Sequence, residues 1–278
     1  VDKQHQSILI TGCSSGIGQC VAVGLQARGY RVFATARQAA DVAALQAIGL
    51  ESLRLDLDDS ASIQAAVAEV LVRTEGQLYA LFNNGAYGQP GAVEDLSRAA
   101  LRAQFETNVL GWQELTNLVI PVMRRQGFGR IIQNSSVLGL VAMPMRGAYV
   151  ASKYAIEGLS DTLRLELHGS GVHISLIEPG PIRSRFRANA HRHYQRQIQA
   201  ETSVHRDTYA AMERRLQAQG APTPFTLPPE AVLQRVIQAL ESRCPRPRYY
   251  VTFPTYLFGY LRHLLPTRWL DALTRRIV

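Results

Sequence analysis

The nine residues "ITGCSSGIG" (10–18) constrain this chain more than any other stretch. They overlap a short apolar run, "SILITG" (7–12), that reads as a buried strand. They lead into "GQCVAVGLQARG" (18–29), which reads as a helix closed by Gly29. Gly12, Gly16 and Gly18 therefore occupy the turn between a strand and a helix. Glycine there lets the backbone turn tightly and approach a ligand, and the helix N-terminus offers N–H donors with a favourable dipole. Such a unit suits a pyrophosphate, and it requires a sheet whose strands are joined by helices.

The rest of the chain alternates accordingly. Strands are expected at 30–37, 51–59, 78–86, 130–136 and 172–181, with "RYYVTF" (248–253) as a seventh at the sheet edge. Between them come helical stretches at 38–49, 60–76 (Ser60 as N-cap), about 95–126, and the helix that begins near Gly147. This order predicts an α/β, doubly wound parallel sheet with helices on both faces and right-handed connections. A single domain over 1–278 is expected, with a core at 7–182, an insertion at 183–226 and a C-terminal extension at 249–278.

Net charge is +8, which favours anionic partners such as a phosphorylated cofactor, nucleic acid or a membrane surface. Helix-turn-helix, zinc and RNP-type motifs are lacking, so neither a nucleic-acid partner nor a metal is expected. Three cysteines (Cys13, Cys20, Cys244) form no disulfide framework, and a cytoplasmic, reducing location is expected. No apolar run is long enough to span a bilayer, and the polar start is unlike a signal peptide.

In "GAYVASKYAIEG" (147–158), Tyr149 and Lys153 lie four residues apart on an expected helix, hence on one face. Either Lys153 is a solvated cover for an aromatic ring, or it tunes a tyrosine. Two unit charges about 4 Å apart interact by roughly 4 kcal/mol at an effective dielectric of about 20. That is about three pKa units, enough to bring a tyrosine with pKa about 10 near neutrality.

Five motifs in order, "ITGCSSGIG", "NNGA" (83–86), "NSS" (134–136), "YVASK" (149–153) and "PGPI" (179–182), resemble the classical short-chain dehydrogenase/reductase family. "TGCSSGIG", "GAYVASKYA" and "SLIEPGPI" resemble its branch of 17β-hydroxysteroid dehydrogenases, retinol dehydrogenases and bacterial aldehyde reductases. The resemblance implies a Rossmann-type oxidoreductase that moves hydride between a nicotinamide and a carbonyl or alcohol. It implies Tyr149 as general acid/base, Ser136 as holder of the carbonyl oxygen, and Lys153 as tuner of Tyr149 and partner of the nicotinamide ribose. Asn108, in "TNVLG", would organise a proton path to Lys153. Gly12, Ser14, Ser15, Gly16, Ile17 and Gly18 would cradle the cofactor phosphates. Asp56 and Leu57 would meet the adenine, Asn83 and Gly85 the adenosine ribose, and Pro179, Gly180 and Ile182 the nicotinamide. One departure is visible: the family's usual Asn-Asn-Ala-Gly is here Asn-Asn-Gly-Ala, with Gly85 before Ala86.

The second strand ends "ATAR", with Ala36 where an acid would bind a ribose 2′-hydroxyl and Arg37 next. An arginine there suits a 2′-phosphate, so NADP(H) is expected over NAD(H). Candidate pocket residues are Val137, Leu138, Val141, Met143, Met145, Arg146 and Phe186, which predict a lipophilic aldehyde, ketone or alcohol as substrate. An acyl-thioester ketoreductase and a non-catalytic dinucleotide sensor are the alternatives. The Arg- and His-rich segment 183–222 is either a solvated helical insertion or a mobile flap over the pocket. The tail "YYVTFPTYLFGYLRHLLPTRWLDALTRRIV" is expected to dock on its own domain, with peripheral membrane contact or pairing in a homo-oligomer as the other uses.

Overall fold

The apolar runs read as strands all enter one sheet. The computed structural model describes residues 6–217, 224–275 and 277. Among them, seven strands are present: β1 (Ser7–Ile10), β2 (Arg31–Ala36), β3 (Glu51–Arg54), β4 (Ala80–Asn83), β5 (Gly129–Asn134), β6 (Val172–Glu178) and β7 (Arg248–Tyr250). Their order is β3-β2-β1-β4-β5-β6-β7, and every neighbouring pair is parallel. This is the Rossmann-like doubly wound sheet that the motif order predicted, with β7 at the expected edge.

Alternation along β1 sorts the two helical layers, because successive strand side chains point to opposite faces. Ile8 and Ile10 join Val21 and Leu25 of α1 (Gly16–Gln26), Leu45 of α2 (Ala39–Ala47) and Val236 of a helix at Glu230–Glu241. Leu9 faces the other way, with Ile63 and Val67 of α3 (Ser60–Arg73). Two later helices, α5 (Gly111–Gln126) and α6 (Gly147–Glu166), complete that layer through Trp112, Leu115 and Ile156. Because β1 pairs with both β2 and β4, the chain crosses to opposite sides at this point. The crevice above the C-terminal ends of β1 and β4 is where such sheets bind ligands.

One expectation is corrected here. Asp59, not Ser60, caps α3: its carboxylate accepts from the amides of Ala61 (3.0 Å) and Ser62 (3.3 Å). Ser60 is the first helical residue, and its hydroxyl turns instead to Glu114. The helical region expected at about 95–126 is present, in several parts. A 3₁₀ turn (Val93–Asp95) precedes α4 (Arg98–Phe105), and a π-turn (Glu106–Leu110) separates α4 from α5. The described part of segment 183–222 is largely helical, as expected, and is packed on the domain; residues 218–223 lie outside the described set. Helices α7 (Phe186–Gln197) and α8 (Arg206–Gln217) bury Tyr194, Tyr209 and Met212 against Ala92 and Met145. Tyr209 Oη donates to Asp95 Oδ2 (2.7 Å) and accepts from the Ala92 amide (2.9 Å), tying the insertion to the loop after β4.

The chain then forms α9 (Glu230–Glu241), β7, α10 (Phe253–Leu264) and α11 (Thr267–Thr274). Among the described residues, no helix is long and apolar enough to cross a membrane.

Candidate active site

The glycine turn is shaped by space. Gly12 and Gly16 have φ of +70° and +60°, the left-handed region that favours glycine. A Cβ on Gly12 would stand 2.5 Å from the Gly85 Cα, and one on Gly18 would stand 2.2 Å from the Gly12 carbonyl oxygen. The loop after β4 thus rests directly on the turn. The family departure is accommodated there: a Cβ on Gly85 would meet Leu57 Cδ1 at 3.0 Å, so glycine relieves that contact. Asn84, which its sequence context does not single out, locks the arrangement. Its Nδ2 donates to the carbonyls of Thr11 (2.9 Å) and Gly12 (3.2 Å), and its Oδ1 accepts from Asn134 Nδ2 (2.9 Å). Thr11 Oγ1 in turn accepts from the amides of Asn84 and Gly85, each at 2.9 Å.

The expectation for Asn83 is corrected. Its side chain is fully buried and donates to Thr116 Oγ1 of α5 at 3.0 Å, so it turns into the core and away from the crevice. The strand alternation that sends Asn83 inward leaves Asn84 at the crevice.

The turn fits a dinucleotide. Ser15 caps α1 without a side-chain bond, Ser14 is exposed, and the glycines keep the approach to the helix N-terminus clear. Ile17 packs on the core beneath, with Ile182. At the end of β2, Ala36 is buried and Arg37 exposed. The Arg37 charge acts on Tyr87 and His193, whose rings stack 3.9 Å apart across the mouth of the crevice. Asp56 is half-buried, and its Oδ1 accepts from the Asp58 amide (3.2 Å). Leu57 lies against Gly111, where a Cβ would come within 2.0 Å of the Leu57 carbonyl oxygen. On the far side, Pro179 O accepts from the Val137 amide (2.8 Å), Gly180 runs against Thr252, and Ser184 approaches Gly16.

Beyond β5 the catalytic candidates converge. Ser136 caps a 3₁₀ turn (Val137–Gly139), and its Oγ accepts from the Leu138 amide at 3.1 Å. Tyr149 enters from the first turn of α6. Its hydroxyl is enclosed, and burial pushes its pKa up to about 12 against a hydrogen bond with Ser136 that pulls it down. Lys153 is 1% exposed. Its Nζ donates to the Asn134 carbonyl (2.8 Å), stands 4.3 Å above the Trp112 ring and lies 5.5 Å from the Tyr149 ring centre. Burial lowers its pKa to about 7. Burial therefore works against the expected tuning of Tyr149 by Lys153. Desolvation is the largest effect on both residues, raising the phenol and lowering the ammonium.

Asn108 sits in the π-turn, fully buried. Its Oδ1 accepts from the Tyr87 amide (3.2 Å), and its Nδ2 donates to the Tyr87 carbonyl (2.9 Å) and Ser152 Oγ (3.2 Å). Ser152 Oγ donates to the Tyr149 carbonyl (2.7 Å), so Asn108 braces the turn that carries Tyr149. Trp112, also missed from sequence, donates from Nε1 to the Gly85 carbonyl (2.7 Å) while its ring supports Lys153. A tryptophan in an apolar helix looks like core filler, and nothing local marks it otherwise.

A glycine turn at the switch point thus faces a serine, a tyrosine and a lysine from β5 and α6. The sequence profile of the short chain dehydrogenase family matches residues 6–195. The chain belongs to the short-chain dehydrogenase family. It is 42% identical over 269 residues to an uncharacterized oxidoreductase of Escherichia coli K12, YbbO, covering 97% of this chain and 94% of that one. It is 39% identical over 191 residues to human 17-beta-hydroxysteroid dehydrogenase type 1, covering 64% of this chain and 57% of that one. A solved Burkholderia phymatum short chain dehydrogenase/reductase in complex with NAD superposes with a TM-score of 0.78 at 26% identity, covering 99% and 97% of the two chains.

In this short-chain dehydrogenase the expected pocket residues divide. Val137, Leu138 and Val141 pack with Met143, Tyr149 and Phe258, together with Leu270 and Ile277 of the tail. The tail therefore docks on its own domain beside Tyr149. Phe186 meets the Tyr149 ring edge-on with centres 5.3 Å apart. Met145 is a correction: at φ +62° it turns away into the core of the insertion, with Tyr209 and Met212. Arg146 donates to the carbonyls of Pro144 (3.3 Å) and Ile277 (3.2 Å), and burial beside Arg215 and Arg187 lowers its pKa to about 10. It staples the tail.

Proposed function

We propose that this enzyme uses NADP(H) to interconvert lipophilic aldehydes or ketones and their alcohols. The observation that carries this reading is the placement of Tyr149, hydrogen-bonded to Ser136, against an apolar wall of Val137, Leu138, Val141 and Phe258. The nicotinamide, when bound, supplies or accepts the hydride. The protein's part is to bind, orient and move a proton. The hydroxyls of Ser136 and Tyr149 hold the carbonyl oxygen, stabilising charge that develops on it. Tyr149 Oη then gives its proton to that oxygen. A phenol kept protonated by burial suits this step, and a nearby cation stabilises the phenolate that remains. Lys153 supplies one such cation and would meet the ribose hydroxyls.

Preference for NADP(H) rests on Arg37 and on Ala36, which offers no carboxylate to repel a 2′-phosphate. Peripheral contact with an anionic bilayer is part of the same reading. On α10 and α11, Tyr260 (63% exposed), Leu264 (75%) and Trp269 (66%) face outward, with Arg262, His263 and Arg268 beside them. An apolar belt edged with cations matches the interface of anionic lipid. Sedimentation with phosphatidylglycerol vesicles, but not phosphatidylcholine vesicles, is expected. Self-association without vesicle binding would assign the face to a second copy instead.

The deciding experiment is a panel of aldehydes of rising chain length, with NADPH and NADH. Specificity constants should rise with length, by at most about 0.8 kcal/mol per buried methylene. Tyr149→Phe should lose at least about a hundredfold in turnover, the low end for general acid catalysis. A flat series, or full activity in the phenylalanine variant, would remove the reading.

A further inference from the structure

Behind the catalytic face lies a buried charged cluster that the proton transfer above does not use. Glu157 follows Lys153 by one turn of α6, on the same helix face, and is 7% exposed. Its Oε1 accepts from Ser135 Oγ at 2.5 Å. Its Oε2 accepts from Arg248 Nε (3.2 Å) and Nη2 (3.0 Å), reaching in from the edge strand β7. Arg248 Nη2 also donates to Asp161 Oδ2 (2.7 Å), and Arg248 Nε lies 3.2 Å from Glu178 Oε1. Gly139 makes the room: a Cβ there would come within 2.7 Å of Ser135 Oγ and 3.1 Å of Glu157 Cγ.

Glu178 is fully buried, and neither carboxyl oxygen receives a hydrogen bond among the described residues. Burial and the neighbouring Glu157 push its pKa up to about 9. Burial raises Glu157 as well, but hydrogen bonds from Ser135 and Arg248 favour its charged form. Glu157 and Asp161 face Arg248, Lys153 and Arg164, whose Nη2 donates to Asp161 Oδ1 (3.3 Å). The other titratable groups around the cluster are Tyr149 and Tyr154 of α6, Tyr250 of β7 and Arg262 of α10. None of these is an anion at neutral pH. The other partners of Lys153, the Asn134 carbonyl and the Trp112 ring, are uncharged. Glu157 is therefore the carboxylate that opposes the desolvation of Lys153.

We propose that Glu157 is a positioning residue for catalysis: held by Ser135 and Arg248, its carboxylate keeps Lys153 protonated. The adjacent serines then have separate tasks, Ser136 toward substrate and Ser135 toward Glu157. The catalytic consequence rests on Lys153 acting as described above; the coupling of the two charges does not. The sequence makes the coupling measurable, because it contains two lysines, Lys3 and Lys153. Protein labelled with 13Cε-lysine will show two resonances to follow against pH. Glu157→Gln preserves size and hydrogen bonding but removes the charge. It should lower the Lys153 midpoint by at least one pH unit, a tenfold change in the proton equilibrium, with Glu157→Asp between the two. The alkaline limb of turnover with NADPH and a long-chain aldehyde should move down by the same interval. Identical lysine midpoints in wild type, Glu157→Gln and Glu157→Asp would overturn the proposal. Should Glu157→Gln fail to fold, equal midpoints in wild type and Glu157→Asp would overturn it alone. Absence of carbonyl turnover in the wild type would refute the functional reading instead, while the lysine titration still decides the coupling.

Discussion

Trp112→Phe isolates how the core supports the site. The indole is fully buried in α5, donates to the Gly85 carbonyl at 2.7 Å and carries the Lys153 ammonium 4.3 Å above its ring. Phenylalanine keeps an aromatic face but loses the N–H. Leaving the partly buried carbonyl unpaired costs about 1–3 kcal/mol. A weaker cation–π contact costs about 0.5–2 kcal/mol more. Together these ranges span about 1.5–5 kcal/mol, so a loss of roughly 2–4 kcal/mol is expected. At this chain length that corresponds to a fall in Tm of roughly 5–15 °C. Urea denaturation followed by far-UV circular dichroism measures it, with Trp269→Phe as control. Trp269 is two-thirds exposed, and its change should stay within about 0.5 kcal/mol. Because Gly85 rests on Gly12, dinucleotide affinity should also drop, by about fivefold for about 1 kcal/mol. Equal denaturation midpoints for the two variants would show that Trp112 is ordinary filler.

Three further outcomes follow from the same contacts. Arg37→Ala should weaken NADPH by about 1.5–3 kcal/mol, the range of a charge-assisted bond, and leave NADH almost unchanged, while Ala36→Asp should reverse the preference; parallel fluorescence titrations check both, and equal NADPH affinity in wild type and Arg37→Ala would place that side chain outside the site. Glu178 keeps its proton to about pH 9 when folded but releases it near 4.5 when unfolded, so its contribution to stability declines as pH rises across that window. Lys153 has the opposite sign between about pH 7 and 10.5 and is common to both proteins, so the Tm of Glu178→Gln minus that of wild type should grow from pH 5 to 9; a constant difference would mean that Glu178 is ionised when folded. Burial pushes the Cys13 thiol up to about 12 and the Cys20 thiol up to about 11, whereas Cys244 is exposed. Native protein should therefore show one fast thiol with a disulfide reagent, and Cys244→Ser should abolish that phase.

Much of this was legible in the sequence because it is encoded locally. Alternation of Ile8, Leu9 and Ile10 between the two helical layers follows from strand geometry, and the glycines at 12, 16 and 18 mark a turn that side chains would fill. Tyr149 and Lys153 share a face because a helix repeats every 3.6 residues. Their environment is not local. Burial is set by residues far along the chain, and it opposes the expected tuning, raising Tyr149 and lowering Lys153. The same distance hid Trp112, whose partner Gly85 lies on another strand's loop, and Arg248, which reaches Glu157 from the far edge of the sheet. It also decided between Asn83 and Asn84, two identical residues side by side: one step along the chain put one amide in the core and the other against Thr11 and Gly12. Residue type and spacing determine which groups are available. Their charge and partners depend on desolvation and on contacts that exist only once the sheet has closed around them.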